Sequence, residues 1–261
     1  MAPAPYKIPP IQPFKALKAL ARLMLDPQDT RQAALLTVAL RGRSEAALYE
    51  RFKASPAGLR VLRQRRRLSD VLDDRVYLAG LPADSLGAHL LAYLESEGFT
   101  AKELGHVTRA ATDDLVAASP KVRLFADRMR DMHDIYHVMA GYGRDEFGEI
   151  YVLAFSYSQQ RLRSFGVIGV IGVAGAVSFA CRLLLQGVVP RHVFGALLEA
   201  FAAGRQARWL PGEDIEAMLP ENLETLRLRM NMRRPARYLA LLTRLKRRLA
   251  PAGHLFFALD G

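Results

Sequence analysis

Apolar residues in this chain return at intervals of three and four, and no stretch sustains the two-residue alternation, bounded by hairpin turn pairs, of a half-buried strand. The clearest case opens at Asp84, where Leu86, Leu90, Leu91 and Leu94 share one helical face and Gly98 offers a left-handed stop. Ser55-Pro56 and Ser119-Pro120 each set an N-capping hydroxyl before a proline at the first helical position, so a helix is expected to open at both. The same periodicity predicts helix over 13–25, 31–54, 120–140, 146–187, 191–209, 220–230 and 235–249, some of it interrupted. The expected fold is all-α. A single multi-helix domain covers 13–261 behind a flexible segment 1–12, with no internal repeat and no clear linker.

Composition narrows the chemistry. At 261 residues, 51% hydrophobic and 24% charged, the chain can bury a full core without covalent staples. Its one cysteine, Cys181, has no intrachain partner and cannot build a thiolate zinc cluster, so a metal here must be held by histidine and carboxylate. The net charge of +11 asks for an acidic partner: nucleic acid, anionic lipid or an anionic substrate. Met1 to Pro13 carries five prolines and no continuous apolar run, so it does not read as a secretory signal, and a reducing, cytoplasmic setting is expected.

Ser164 to Cys181 is an uncharged run of 18 residues closed by Arg163 and Arg182. It admits three readings: a short membrane span, a buried helix or a buried strand. Gly166, Gly169, Gly172 and Gly175 recur every third residue within it, and in a helix such a row leaves a groove about 18 Å long. Either another helix fills that groove or an extended isoprenoid tail lies in it. Arginines cluster at Arg60 to Arg67 and again from Arg227 to Arg248, as a solvated face or as a surface drawn to anionic headgroups. No nucleic-acid partner is expected, because no aromatic residues interleave with these arginines and no DNA- or RNA-binding signature is present.

The residues that carry chemistry lie in RMRDMHDIYHVMAGYGRDEFGEI, 128–150. On a helix His133 and His137, at i and i+4, share a face, with Asp134 and Arg130 within about a third of the circumference. Gly141-Tyr142-Gly143 supplies the backbone freedom to end that helix and reverse the chain. His137 lies six residues before Gly143 and Glu149 six after it, so a helical hairpin would bring them level. Two imidazoles completed by Glu149 and Asp134 would form a metal site with positions left open for water or substrate. The histidine pair alone is a weak signal. The intervening aspartate, the helix break and the acid within reach make it specific. The remaining histidines, His89, His106, His192 and His254, are read as structural.

His133-Asp134-x-x-His137, then eleven residues, then Glu149 resembles the metal motif of the coenzyme Q biosynthesis subunit-four family. The resemblance extends to Arg128-x-Arg130, Gly148-Glu149-Ile150, Ser85-Leu86-Gly87 with Leu94-Glu95, Asp26-Pro27, Gly58 with Leu62, and Leu223-x-x-Leu226-Arg227 up to Met232. The chain looks like a divergent bacterial member. It has Leu153-Ala154-Phe155-Ser156 where the family has Lys-Trp-Phe-Glu, and Leu90 where the family has tyrosine.

The resemblance implies an all-helical, metal-binding protein of ubiquinone biosynthesis that removes the ring carboxylate of a polyprenylated hydroxybenzoate, in some forms with hydroxylation of the same carbon. On that reading His133, Asp134, His137 and Glu149 hold a divalent metal, zinc first, with iron and manganese also suited. Asp134 moves a proton or orients a histidine, Arg130 pairs with the substrate carboxylate, and the glycine row receives the prenyl tail. The implied partners are the prenylated quinone precursor, an anionic membrane surface and other quinone-biosynthesis proteins. A homo-oligomer peripheral on the inner membrane is expected. Two rival functions are a non-catalytic prenyl-lipid-binding scaffold and an HD-type metal phosphohydrolase built on His106, His133, Asp134 and Asp214. A third reading has the histidines satisfied in a helical core without metal.

Overall fold

The computed structural model describes residues 10–25, 30–40, 42–95, 120–164, 166–167 and 190–249, and within them the chain is helical, with no strand. In chain order the helices are α1 (Pro13–Leu25), α2 (Thr30–Ala39), α3 (Gly42–Ala54), α4 (Pro56–Gln64), α5 (Leu68–Leu72), α6 (Arg75–Ala79) and α7 (Leu86–Glu95). They continue with α8 (Pro120–Ala140), α9 (Glu146–Gln160), α10 (Pro190–Gln206), a 3-10 turn at Leu210–Gly212, α11 (Ile215–Met218), α12 (Leu223–Arg229) and α13 (Ala236–Leu249). The all-α expectation holds as a single helical domain.

Local chemistry explains where the helices begin and where the periodicity misled. Ser55 caps α4 as expected, its hydroxyl accepting from the Gly58 N–H at 3.0 Å with Pro56 in the first turn. Helix α8 has the bounds that its apolar spacing predicts. The expected 31–54 helix is instead two, because the chain leaves α2 after Ala39 and restarts at Gly42 with φ +47°. The expected 146–187 helix stops at Gln160, where Arg161 takes a left-handed conformation (φ 56°) and its N–H closes the last turn on Tyr157. Helices α5, α6 and α11 are four or five residues long, too short to show a period. Asp74 and Asp214 cap the latter two by accepting from Tyr77 N–H and Ala217 N–H.

The main core is built around α8. Its Phe125, Met132, Ile135, Tyr136 and Met139 are all but inaccessible. Helix α9 packs chiefly on α10, whose Ala196, Ala200 and Gly204 let the backbones close together. Gln159 ties this contact down, donating to Gly204 O at 2.7 Å while its own amide oxygen accepts from Leu210 N–H at 2.9 Å. Arg128, 1% exposed, reaches from α8 to Glu216 of α11 in a bidentate pair, both bonds 2.8 Å. Burial works against the charge of Glu216, but the guanidinium holds its carboxyl below the usual value.

A second, smaller cluster stands apart. It consists of Ala16, Ala19 and Leu23 of α1 against Leu36 and Ala39 of α2, with Val167 at its edge. Gly166 lies against the ring of Tyr157, where an added Cβ would stand 3.1 Å from Cε2. Gly169, Gly172 and Gly175, with most of the 164–181 run, lie outside the described residues. No described helix is long and apolar enough to cross a membrane.

Candidate metal centre

The site forms where α8 ends and α9 begins, so its geometry depends on how the five residues between them are held. Gly141, at φ +77°, carries the chain out of α8, and the N–H groups of Gly141 and Tyr142 both bond the His137 carbonyl, at 2.8 and 3.2 Å. The next two carbonyls, Val138 and Met139, accept from the buried guanidinium of Arg227 in α12 at 2.7 and 3.0 Å. An arginine is suited to that place: it satisfies backbone acceptors that the helix leaves open and sits at the negative end of the dipole.

Asp145 opens α9, its carboxylate accepting from Phe147 N–H and Gly148 N–H at 3.1 and 3.0 Å. The Tyr238 hydroxyl of α13 donates to the same carboxylate and accepts from Gly143 N–H at 2.9 Å. The loop folds so tightly onto α9 that a Cβ at Gly148 would stand 2.0 Å from Gly143 O. Glycine is required there for space, and this places the neighbouring Glu149 against the end of α8.

Three side chains then converge. His137 Nε2 lies 3.1 Å from His133 Nε2 and 3.3 Å from one Glu149 oxygen, and the other Glu149 oxygen is 3.4 Å from His133 Nε2. His133, His137 and Glu149 each offer a ligand atom, all within 4.8 Å of one another. With bonds of about 2.0–2.1 Å, the edge of a tetrahedral coordination shell measures about 3.3–3.4 Å, so these separations suit one divalent ion. His137 Nδ1 lies 3.0 Å from the Tyr142 carbonyl, which can only accept. Nδ1 therefore donates to that carbonyl and Nε2 is the nitrogen turned to the site, the second-shell arrangement common to metal-bound histidine. The His137 side chain is fully buried, whereas His133 and Glu149 are 35% and 43% exposed, so the centre is open on one side.

The ionisable groups of the cluster act on one another. Burial opposes ionisation of Glu149, yet the two imidazoles hold its carboxyl far below the usual range. Burial likewise opposes charge on His133, and Glu149 and Asp134 nevertheless bring its pKa above the ordinary value. Asp134 is buried close enough to feel both imidazoles, Glu149 and Arg75, and burial raises its carboxyl. It is not among the three residues whose ligand atoms cluster. Arg130 turns its guanidinium to Asp127 at 3.1 Å and Asp131 at 2.9 Å. The Asp131 carboxyl is pushed up by burial to about 6 in spite of that pairing.

Sequence reasoning did not anticipate the wall beside the histidines. The Tyr93 ring stacks on His137 with centroids 5.1 Å apart, and the Arg144 guanidinium lies over the Tyr93 ring, 4.0 Å from its centroid. Tyr93 stands in the run of α7 leucines and Arg144 inside the loop, positions that no spacing rule marks. Asp214, invoked for a phosphohydrolase, caps α11 and pairs with Arg60 at 3.0 Å, and His106 lies outside the described residues.

A family profile described as coenzyme Q (ubiquinone) biosynthesis protein Coq4 matches residues 12–236. The chain belongs to the Coq4 family. A Pyricularia oryzae protein named ubiquinone biosynthesis protein COQ4, mitochondrial, is 30% identical over 178 residues, 68% of this chain and 52% of that protein. Its Scheffersomyces stipitis namesake is 24% identical over 189 residues, 72% of this chain and 54% of the relative. The chain thus spans about half the length of these curated relatives. A crystal structure of a Nostoc punctiforme protein assigned to ubiquinone biosynthesis superposes with a TM-score of 0.60 at 17% identity, covering 84% of this chain and 97% of that one, and shows a shared fold. The Coq4 family is described as one of coenzyme Q (ubiquinone) biosynthesis.

Proposed function

We propose that this Coq4-family chain is a metal-dependent decarboxylase acting on a polyprenylated hydroxybenzoate at an anionic membrane surface, as a homo-oligomer working beside other quinone-biosynthesis proteins. The observation that carries the reading is the convergence of His133, His137 and Glu149 at ligand spacing on a side open to solvent. Three protein ligands leave coordination positions for substrate, the pattern of catalytic rather than closed structural sites. A divalent ion held there would draw in the ring carboxylate and phenolate oxygens and stabilise negative charge developing on the ring. Zinc suits this donor set, as do iron and manganese, and an oxidative course consuming dioxygen would favour iron.

The chain's own residues divide the remaining work. Asp134, buried near enough to both imidazoles to interact with their charge, would hold the proton that the ring carbon takes up as carbon dioxide leaves. Arg130 would meet a substrate carboxylate by exchanging it for Asp127 or Asp131. Arg144 and Tyr93 form a cationic and aromatic wall suited to an anionic ring. The glycine row that starts at Gly166 would receive the prenyl tail.

The test is to load the purified chain with zinc or iron(II), supply a short-chain prenylated 4-hydroxybenzoate in air, and follow the ring product by mass spectrometry. Loss of the carboxyl mass, abolished in His133→Ala and Glu149→Gln, is the expected result. Tight substrate binding with the carboxylate intact under both metals would favour the scaffold instead.

A further inference from the structure

The inner face of α1, packed on α2, is made of Ala16, Ala19 and Leu23 with Leu20 half-buried beside them, while Phe14 and Leu17 point away from the protein. Phe14 is 86% exposed, Leu17 63% and Ile11, just before the helix, 42%. At 100° per residue Phe14, Leu17 and Ala21 form one outward stripe. Lys18, Arg22 and Lys15 follow along one flank of it, all exposed. No acidic residue occurs between Pro13 and Leu25.

We propose that this outer face of α1 is the surface by which the protein docks on a bilayer containing anionic lipid. Exposed large apolar side chains beside long-stemmed cations match the boundary between headgroups and acyl chains, where the rings and aliphatic groups enter and the cations meet phosphate or carboxylate. The chain's +11 charge adds attraction to the same surface. This assignment rests on the membrane reading above and specifies it: α1, rather than Arg60 to Arg67 or Arg227 to Arg248, makes the contact.

The experiment measures partition of the full chain onto vesicles of phosphatidylcholine alone and of phosphatidylcholine mixed with phosphatidylserine. The wild-type protein should favour the mixed vesicles, and Phe14→Ser/Leu17→Ser should lower that partition at least about tenfold with melting temperature and metal content unchanged. Lys15→Gln/Lys18→Gln/Arg22→Gln should remove most of the preference for phosphatidylserine, at about fivefold per charge. Wild-type binding that survives the apolar double variant would overturn the assignment while leaving membrane association intact, and would point to the arginine clusters. Absence of wild-type binding to either vesicle would overturn both. Decarboxylation of a soluble short-chain substrate reports separately on the metal centre in every case.

Discussion

At the junction of α8 and α9 side chains from distant helices bond the open backbone groups of Val138, Met139 and Gly143, whereas α1 rests on α2 through alanines and leucines. Arg227 closes Val138 and Met139, Tyr238 spans Gly143 and Asp145, and Tyr93 lies flat on His137. The α1–α2 cluster contains Ala16, Ala19, Leu23, Leu36 and Ala39. The difference teaches where this chain spends its stability. The cluster of His133, His137 and Glu149 is fixed by contacts from distant parts of the chain, whereas α1, with Phe14 and Leu17 turned outward, packs on α2 through small residues and leucines.

If that contrast is right, the largest loss follows from breaking a buried contact on α8. Arg128→Ala leaves the Glu216 carboxylate buried without its partner and should cost about 3–5 kcal/mol in chemical denaturation. Arg128→Met/Glu216→Leu should recover most of it, since neither charge then remains. A smaller loss, about 1–3 kcal/mol, is expected for Gly148→Ala, because the new methyl collides with Gly143 O and pushes the loop off α9. Metal affinity should fall with it, as Glu149 moves with the loop.

The pH dependence sharpens the comparison further. The folded pKa of Glu216 lies below its unfolded value, so its contribution is present above the unfolded pKa of about 4.3 and disappears as pH falls through the folded one. Acid titration of melting temperature should therefore fall more steeply for the wild type than for Glu216→Gln below about pH 4. The smallest effect belongs to α1: Phe14→Ser/Leu17→Ser should change stability by less than about 0.5 kcal/mol, because both side chains already face water.

The same contrast explains what could be read from the chain alone. Helix α8 and the partnership of His133, His137 and Glu149 follow from local rules: a period of 3.6, an i,i+4 pair and glycines at a turn. Tyr93, Arg227 and Tyr238 lie 44, 90 and 101 residues from His137 in sequence, and they reach the loop only through tertiary packing, which no spacing records. The break at Arg161 was hidden because an arginine in a left-handed cap carries no compositional mark where glycine would have carried one. The outward stripe of α1 has ordinary amphipathic periodicity; which of its faces meets the protein is settled by the alanines' fit against α2.

The central claim is that His133, His137 and Glu149 together hold one divalent ion. Elemental analysis after exhaustive dialysis in zinc-buffered solution, on the wild type and on His137→Ala and Glu149→Gln checked for intact melting, tests it most directly. The wild type should retain a single ion per chain, and each folded variant should lose most of it. Wild-type protein that emerges without stoichiometric metal, or a folded His137→Ala that keeps its full complement, would contradict the assignment.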